Sequence, residues 1–304
     1  METHVNNINR NAAFTIVELL TVMSIIVILI GLLVPALNKV KRYSYEVKQK
    51  AQLKGIGTAL DFIYAELGNY PESSALDPTG LPYCGAMKLC EAMIGQDMMG
   101  LHPDSIYRGD GMDGTNYNLY PDPNVTNTQT YKNSLCIRKG PYLPLESIDA
   151  FAIGDLYENT RPFASPYLVL CDVFKRAKHR TSSKRIGMPI LYYKANTMNF
   201  KHNVANPDDP QNIYNYKDNQ ALISLGKPWE PTPVINSQHS LFSASSREGV
   251  RFYMNTKNHK IKIASRPYRA DTYILISAGY DGEYGTPDDI CNYVWKYRET
   301  LSQI

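Results

Sequence analysis

The residues best suited to chemistry lie in an acidic loop near the C-terminus. Residues 277–290 read SAGYDGEYGTPDDI, so Asp281, Asp288 and Asp289 fall within nine positions, with glycines among them. Glycine lets such a loop curl, and carboxylate and carbonyl oxygens are the ligands of a hard cation. The spacing is not that of an EF-hand. The loop therefore predicts either a cation site or a glycine-rich turn in which Asp288 or Asp289 caps the local backbone.

Glu18 is the second unusual residue, because it is the one charge in an apolar run that covers residues 14–37. A carboxylate inside a membrane segment is costly and usually marks a function or a partner. If the chain were cut between Ala13 and Phe14, the new α-amine would be a cation for Glu18, on the same chain or on a neighbour. The alternative is that Glu18 sits at headgroup level of an ordinary anchor.

The apolar run is long enough to cross a membrane. As a helix, residues 14–37 would span about 36 Å, against about 30 Å for a hydrocarbon core. The polar leader, residues 1–13, carries Glu2 and Arg10, and its small residues Ala12 and Ala13 come before the apolar run. A secretory signal peptide has the opposite order, with its cleavage site after the apolar stretch. The sequence thus predicts one membrane-spanning helix behind a short leader.

Residues 38–71 extend this helix in amphipathic form. Apolar residues recur at helical spacing, with Lys and Glu between them: Val40, Val47, Ala51, Ile56, Leu60, Ile63 and Leu67. Gly68 and Pro71 then supply a stop signal. We expect one helix over residues 14–67, with Pro35 as a candidate kink because its backbone lacks a donor.

The remaining residues, 72–304, predict a globular head of short elements joined by many loops. Residues 83–99 have a helical pattern, and five apolar or β-branched runs bounded by turn residues predict antiparallel strands: residues 167–174, 189–194, 221–225, 273–278 and 290–295. The expected fold class is α+β, with a long N-terminal helix packed on a small antiparallel sheet.

Composition argues against several functional classes. The 304 residues carry 32 Lys and Arg against 29 Asp and Glu, a formal charge of +3. The net charge of the chain is therefore too small to favour binding to nucleic acid. The basic run of residues 175–185 is better explained as a solvated loop.

Six scattered His residues and five Cys residues without a C-x-x-C pair give no zinc or redox motif. Cys84 and Cys90 are better read as small buried hydrophobes than as a disulfide.

The segment from Ala13 to Leu20, AFTIVELL, closely resembles the N-terminal signature of type IV pilins and of the pseudopilins of type II secretion systems. In that family a polar leader ends in Gly, a Phe begins the mature chain, and a Glu follows four residues later. Ala13 stands here in place of the usual Gly. The ending of the helix, residues 66–71, ELGNYP, resembles that of major pseudopilins. The resemblance covers residues 13–71 and about 273–293.

The resemblance implies a function in a filament. Residues 1–13 would be removed by a prepilin peptidase between Ala13 and Phe14, and Phe14 would be N-methylated. Glu18 would pair with the Phe14 amine of a neighbouring copy during assembly. Loop 277–290 is similar to the calcium-binding loop of major pseudopilins, which implies Asp281, Asp288 and Asp289 as Ca²⁺ ligands. The implied partners are the peptidase, other pseudopilins and an assembly platform.

This resemblance also implies a single-pass protein of the bacterial inner membrane with a periplasmic head, and no enzyme activity. The five Lys and Arg residues within 39–50 argue for the opposite orientation by the positive-inside rule, and we follow the resemblance. Two other functions remain open: a type IV pilin for adhesion or DNA uptake, and a membrane-anchored extracytoplasmic binding protein or hydrolase that uses residues 72–270.

Overall fold

The structure is a computed structural model that describes residues 15–122, 124, 127–146, 148–229, 239–241, 248–294 and 296–297. The chain divides into two units, Met1–Ser44 and Tyr45–Ile304. In chain order the elements are α1 (Ile16–Leu67), α2 (Gly85–Ile94), α3 (Thr128–Ile137), β1 (Ala150–Ala152), α4 (Ile153–Leu156), β2 (Leu168–Leu170), β3 (Ala177–Lys178), β4 (Arg185–Ile186), β5 (Leu191–Lys194), a 3-10 helix (Tyr216–Asn219), α5 (Gln220–Ile223), α6 (Val250–Thr256), β6 (Tyr273–Ser277) and β7 (Ile290–Cys291).

The long helix α1 is confirmed, and it continues through Pro35. It ends where the stop signal predicts, since Gly68 adopts a positive φ of 76° and donates its N–H to the Tyr64 carbonyl at 2.8 Å. Every described residue from 15 to 45 is exposed. In the described part of the chain this is the one helix long and apolar enough to cross a membrane, which fits either an anchor or a signal sequence.

The buried face of α1 begins later than the sequence pattern predicts. Val40 and Val47 are 64% and 49% exposed, so this part of the expected stripe is wrong. The buried residues are Gln49, Leu53, Ile56, Ala59, Leu60 and Ile63. They recur every three to four positions, so they share one side of the helix.

The main sheet is antiparallel with strand order β5-β6-β7. Leu191 of β5 faces Ile276 of β6, and Ser277 pairs with Ile290 of β7. β6 is buried along its whole length, and its alternate residues enter two hydrophobic clusters. Tyr273 and Leu275 pack in the cluster that contains α1 and much of α2. Ile274 and Ile276 pack in the other cluster, with α6 residues such as Phe252.

Two further pairs of antiparallel strands, β1 with β2 and β3 with β4, complete the small sheets. The α+β layout is therefore confirmed, with a long N-terminal apolar helix and small antiparallel sheets. The basic run of residues 175–185, expected to be a solvated loop, instead includes β3 and the first residue of β4. All five cysteines are free, and Cys84, Cys90 and Cys171 are buried.

The predicted strand over residues 221–225 is wrong, because this segment forms α5 after the 3-10 helix. The Asn215 side chain accepts the N–H of Lys217 at 3.1 Å and so begins the helical turn, and Leu222 and Ile223 become buried on it. A short apolar run has the same composition in a buried helix as in a buried strand.

Other bounds also differ from the prediction. The helix expected over residues 83–99 is shorter, because Gly95 leaves helical geometry at a φ of 77°. The strand expected over residues 290–295 is reduced to β7, since Asn292 uses its side-chain oxygen to accept the N–H of Leu275 at 2.9 Å. Trp295 lies outside the described residues. The helices α3, α4 and α6 are additions to the prediction.

Candidate functional site

The first candidate site is the N-terminal turn of α1, which contains Glu18. Thr15 precedes the helix, and its Oγ1 accepts the N–H of Glu18 at 3.2 Å. The Glu18 carboxylate in turn accepts the Thr15 N–H at 2.9 Å and the Thr15 hydroxyl at 2.8 Å. These contacts form a reciprocal capping box, which satisfies backbone donors that a helix start leaves unpaired.

The capping box gives Glu18 a structural role that the sequence interpretation missed. Its signal was available, because Thr15 and Glu18 have the T-x-x-E spacing of such a box. Ala13 and Phe14, the expected processing site, lie outside the described residues. The geometry therefore gives no distance between the Phe14 nitrogen and Glu18.

The second candidate site is the acidic loop, which connects β6 to β7. Ser277 and Ile290 pair at its base. Gly279 has a φ of 66°, and a Cβ there would collide with the Asp288 carbonyl. The expectation that these glycines serve turns is borne out by positive φ at Gly279, Gly282 and Gly285.

Backbone groups of the loop itself bind the three carboxylates. Asp288 Oδ2 accepts the N–H groups of Tyr280 at 2.8 Å and Asp281 at 3.1 Å. Asp281 accepts the N–H of Glu283 at 2.7 Å. Asp289 accepts the N–H of Gly285 at 2.7 Å. The turn-capping alternative thus accounts for much of what these residues do here.

The loop carboxylates have unusual electrostatics. Burial raises the pKa of Asp281 to about 6, and the Asp288 charge acts in the same direction. Burial also raises the pKa of Asp289 well above its ordinary value. For Asp288, burial is outweighed by hydrogen bonds, chiefly from the Thr286 hydroxyl, and the pKa is lowered. When two carboxyls are neighbours and one resists ionisation, a bound proton or cation relieves the repulsion between their negative charges.

These residues fit a metal only in part. Asp281 and Asp288 interact through their charges, whereas Asp289 directs its two oxygens to Gly285 and Thr286. Within the described ranges, no group of three or more His, Cys, Asp or Glu side chains is arranged to hold a metal ion. As it stands, the loop offers a pair of carboxylates rather than a three-carboxylate cage.

Comparison with family models, with curated proteins and with solved structures found no match to this chain.

Two groups that sequence reasoning missed hold the loop in place. The buried Asp172 accepts a hydrogen bond from the Ser277 hydroxyl at 3.0 Å at the start of the loop. Burial raises the pKa of Asp172 to about 7. On the other side, Glu283 forms a 2.7 Å ion pair with Lys227. Both partners are distant in sequence, so no local pattern indicated them.

Proposed function

We propose that this chain is a pseudopilin-like filament subunit of a type II secretion system, which is processed by a prepilin peptidase and assembled through its N-terminal helix to support protein export. The subunit resides in the bacterial inner membrane with its head in the periplasm until assembly. Its partners are neighbouring copies, other pseudopilins and the assembly platform. Its role is structural, without catalysis. Pilin-likeness of the fold is part of this proposal.

The observation that carries the proposal is the division of α1 into two chemically different halves. Residues 16–37 are predominantly apolar and carry no charge except Glu18, and all of them are exposed. Such a surface must be covered by lipid or by other copies, because apolar area of this size is unstable in water. Further along the same helix, Leu53, Ile56 and Leu60 are buried in the core of the head. A helix with one half fixed in a head and the other half uncovered suits a subunit that exchanges lipid for neighbours.

Glu18 supports the proposal through the charge it retains. The capping box uses only one of its carboxylate oxygens among the described contacts, Oε2. In a filament the carboxylate would accept the Phe14 amine of the adjoining copy. Removing both charges from water offsets much of their attraction, so such an ion pair would mainly fix the axial position of one copy relative to the next.

Calcium belongs to the proposal as the ligand of the acidic loop. Asp281 and Asp288 would supply the first side-chain oxygens, and Asp289 would have to leave Gly285 and Thr286 to join them. Calcium would supply positive charge that removes the repulsion between Asp281 and Asp288.

Processing provides the direct test. The full chain would be expressed in bacterial membranes with a prepilin peptidase, and the product analysed by N-terminal sequencing and intact mass. We expect a chain that begins at N-methylated Phe14, and faster processing of Ala13→Gly because Gly is usual at that position in the family. A product that begins at Met1 in both forms would refute the proposal. A chain with the peptidase omitted is the control.

A further inference from the structure

A polar cleft lies in the head, and its lining includes no residue of either candidate site. Its volume is about 710 Å³, within the usual size range of small-molecule sites. Three stretches of chain provide most of its lining, residues 72–74, 194–199 and 207–218, and Tyr253 completes it. Most of these residues belong to the long region to which no sequence motif gave a function.

The floor of the cleft is buried, so the cavity is a built feature of the head. Tyr214 and Tyr253 are fully buried, and Asp218 and Asn212 are 5% and 6% exposed. The Ser73 hydroxyl donates a hydrogen bond to Asp218. The Tyr253 hydroxyl donates to the Tyr214 carbonyl at 2.6 Å. Hydrogen bonds of this kind fix the floor before any ligand arrives.

The charges of the cleft are already compensated. Lys194 forms a 2.6 Å ion pair with Glu72, and Lys217 forms a 2.7 Å pair with Asp208. Asp209 also lines the cleft, and it forms a 3.2 Å ion pair with Lys201, which is not part of the lining. Burial raises the pKa of Asp218 to about 7. Lys88 also interacts with Asp218, so each carboxylate of the lining has a lysine nearby and the cleft suits a neutral ligand.

Two exposed asparagines in the wall use one end of the amide to hold the loop and leave the other end available. Asn196 Oδ1 accepts the N–H of Met198 at 3.1 Å, and Asn215 Oδ1 accepts that of Lys217 at 3.1 Å. Among the described residues, neither Nδ2 has a hydrogen-bond partner. The amide donors are therefore oriented by the turns that they build.

A peptide that adds a strand to the sheet is disfavoured at this cleft. β5 is the outer strand beside it, and side chains already occupy its backbone groups. Ser73 Oγ accepts the N–H of Lys194 at 3.0 Å, and Asn219 Nδ2 donates to the Tyr192 carbonyl at 2.7 Å. Strand addition needs those groups unpaired.

We propose that the cleft binds a neutral saccharide. Sugar hydroxyls both donate and accept hydrogen bonds, which matches a wall of amide donors next to carboxylate oxygens that already sit in ion pairs. The weakly apolar faces of a sugar ring would pack on Met198, which is 88% exposed at the rim. The inference goes beyond the proposed function and does not depend on filament assembly.

The test uses the full chain in phospholipid nanodiscs, because glycoside detergents would compete for the cleft. Maltotriose, cellotriose and tri-N-acetylchitotriose would be titrated by calorimetry, with saturation-transfer NMR to identify the bound sugar protons. We expect at least one to bind with a Kd between about 10 μM and about 1 mM. No saturable binding of any of the three up to about 10 mM would overturn the proposal.

Variants locate the site. The double variant Asn196→Asp with Asn215→Asp retains both loop-building oxygens and removes both amide donors, so we expect at least a tenfold weaker Kd. Asn258→Asp is the matched control, since Asn258 Oδ1 accepts the N–H of Lys260 in the same way and does not line the cleft. Its Kd should be unchanged.

A second variant guards against misfolding of the first. Met198→Ser alters an exposed side chain and should also weaken binding, with a melting temperature equal to that of the parent chain. If both the double variant and Met198→Ser bind sugar as the parent does, the cleft is not the site and the proposal is wrong. An unlabelled neutral peptide that competes with the sugar would indicate a peptide-binding cleft and would likewise overturn it.

Discussion

At the scale of single residues, Glu18 combines two functions that substitution can separate. It closes a capping box with Thr15, and it places a carboxylate at the start of an exposed apolar helix. A cap is worth about 1 kcal/mol of helix stability, whereas a charge pair between neighbours is worth mainly specificity. The two functions therefore predict different consequences for neutral substitutions.

Glu18→Gln keeps the capping box, because Gln serves at this position as Glu does, and it removes the charge. We expect normal membrane insertion and normal abundance of Glu18→Gln, with assembly blocked. Glu18→Ala removes the capping box as well as the charge. It should still insert and should also fail to assemble, and in addition its helix start should lose about 1 kcal/mol of stability. Immunoblots of membrane fractions and of sheared filaments measure the two steps. Filaments from Glu18→Gln at parental abundance would show that the charge is dispensable.

At the scale of elements, two glutamines connect α1 to the chain that follows β2. Gln49 Oε1 accepts the N–H of Val173 at 3.0 Å, and Gln52 Nε2 donates to the Cys171 carbonyl at 2.9 Å. Gln49 is fully buried although it is polar. Its amide supplies the acceptor that a buried backbone N–H requires.

Gln49→Ala should destabilise the head by about 1–3 kcal/mol, because the Val173 N–H would be buried without an acceptor. Lys50→Ala is the matched control, since the adjacent Lys50 is exposed and its removal should change stability by less than about 0.5 kcal/mol. Urea unfolding followed by circular dichroism measures both. Equal midpoints for the two variants would contradict this account of the helix face.

The β6–β7 loop gives a second prediction at this scale. Saturating Ca²⁺ should raise the melting temperature of the parent chain, with about 2.7 kcal/mol gained when the free ion is 100-fold above Kd. Asp281→Asn keeps the acceptor for the Glu283 N–H and removes one carboxylate of the pair, so it should abolish this gain. Asp271→Asn, an exposed control outside the loop, should retain it. A parent chain whose melting does not respond to Ca²⁺ or to chelator would remove calcium from the proposal.

At the scale of the whole molecule, buried ionisable groups make stability depend on pH in opposing ways. Burial raises the pKa of Asp172 and Asp218 to about 7, so both hold a proton in the folded state that the unfolded chain releases near its ordinary value. The two carboxyls contribute fully to the stability of the folded state below the ordinary pKa of Asp, and this contribution is lost as pH rises through about 7. Burial lowers the pKa of His202 and His239 to about 4. The two neutral histidines therefore contribute fully to the stability of the folded state above pH 6.5, and this contribution is lost as pH falls toward 4.

Between pH 7 and 8 the histidines are mostly neutral in both states, so the carboxyls dominate and stability should fall as pH rises. In Asp218→Asn the new amide can accept the Ser73 hydrogen bond but cannot ionise. The charges of Lys88 and Glu72, which act on Asp218 in opposite directions, stay in place. We expect a flatter dependence of melting temperature on pH in this window than for the parent chain. Thermal melts at half-unit pH intervals measure it. An unchanged slope would show that Asp218 is ionised throughout.

Local patterns predicted the elements whose cause is local. The run of residues 16–37 is long and carries no charge other than Glu18, which predicts a membrane-length helix, and α1 ends at Leu67 because Gly68 and Pro71 follow. The strands β2, β5 and β6 lie within the predicted runs, and the loop glycines have the turn geometry expected of them. These outcomes depend on neighbours within a few residues, which the sequence contains directly.

Tertiary structure decided everything that depends on distant partners. Residues 221–223 became helical because the core of the head covers Leu222 and Ile223 on a helix. Gln49 is buried because it meets Val173, more than a hundred positions away. Asp289 caps its own loop, and the polar cleft combines three separate stretches of chain. The sequence alone therefore determined the long helix, its stop and the turns, whereas burial of polar groups and assembly of the cleft arise only when the folded chain brings distant segments together.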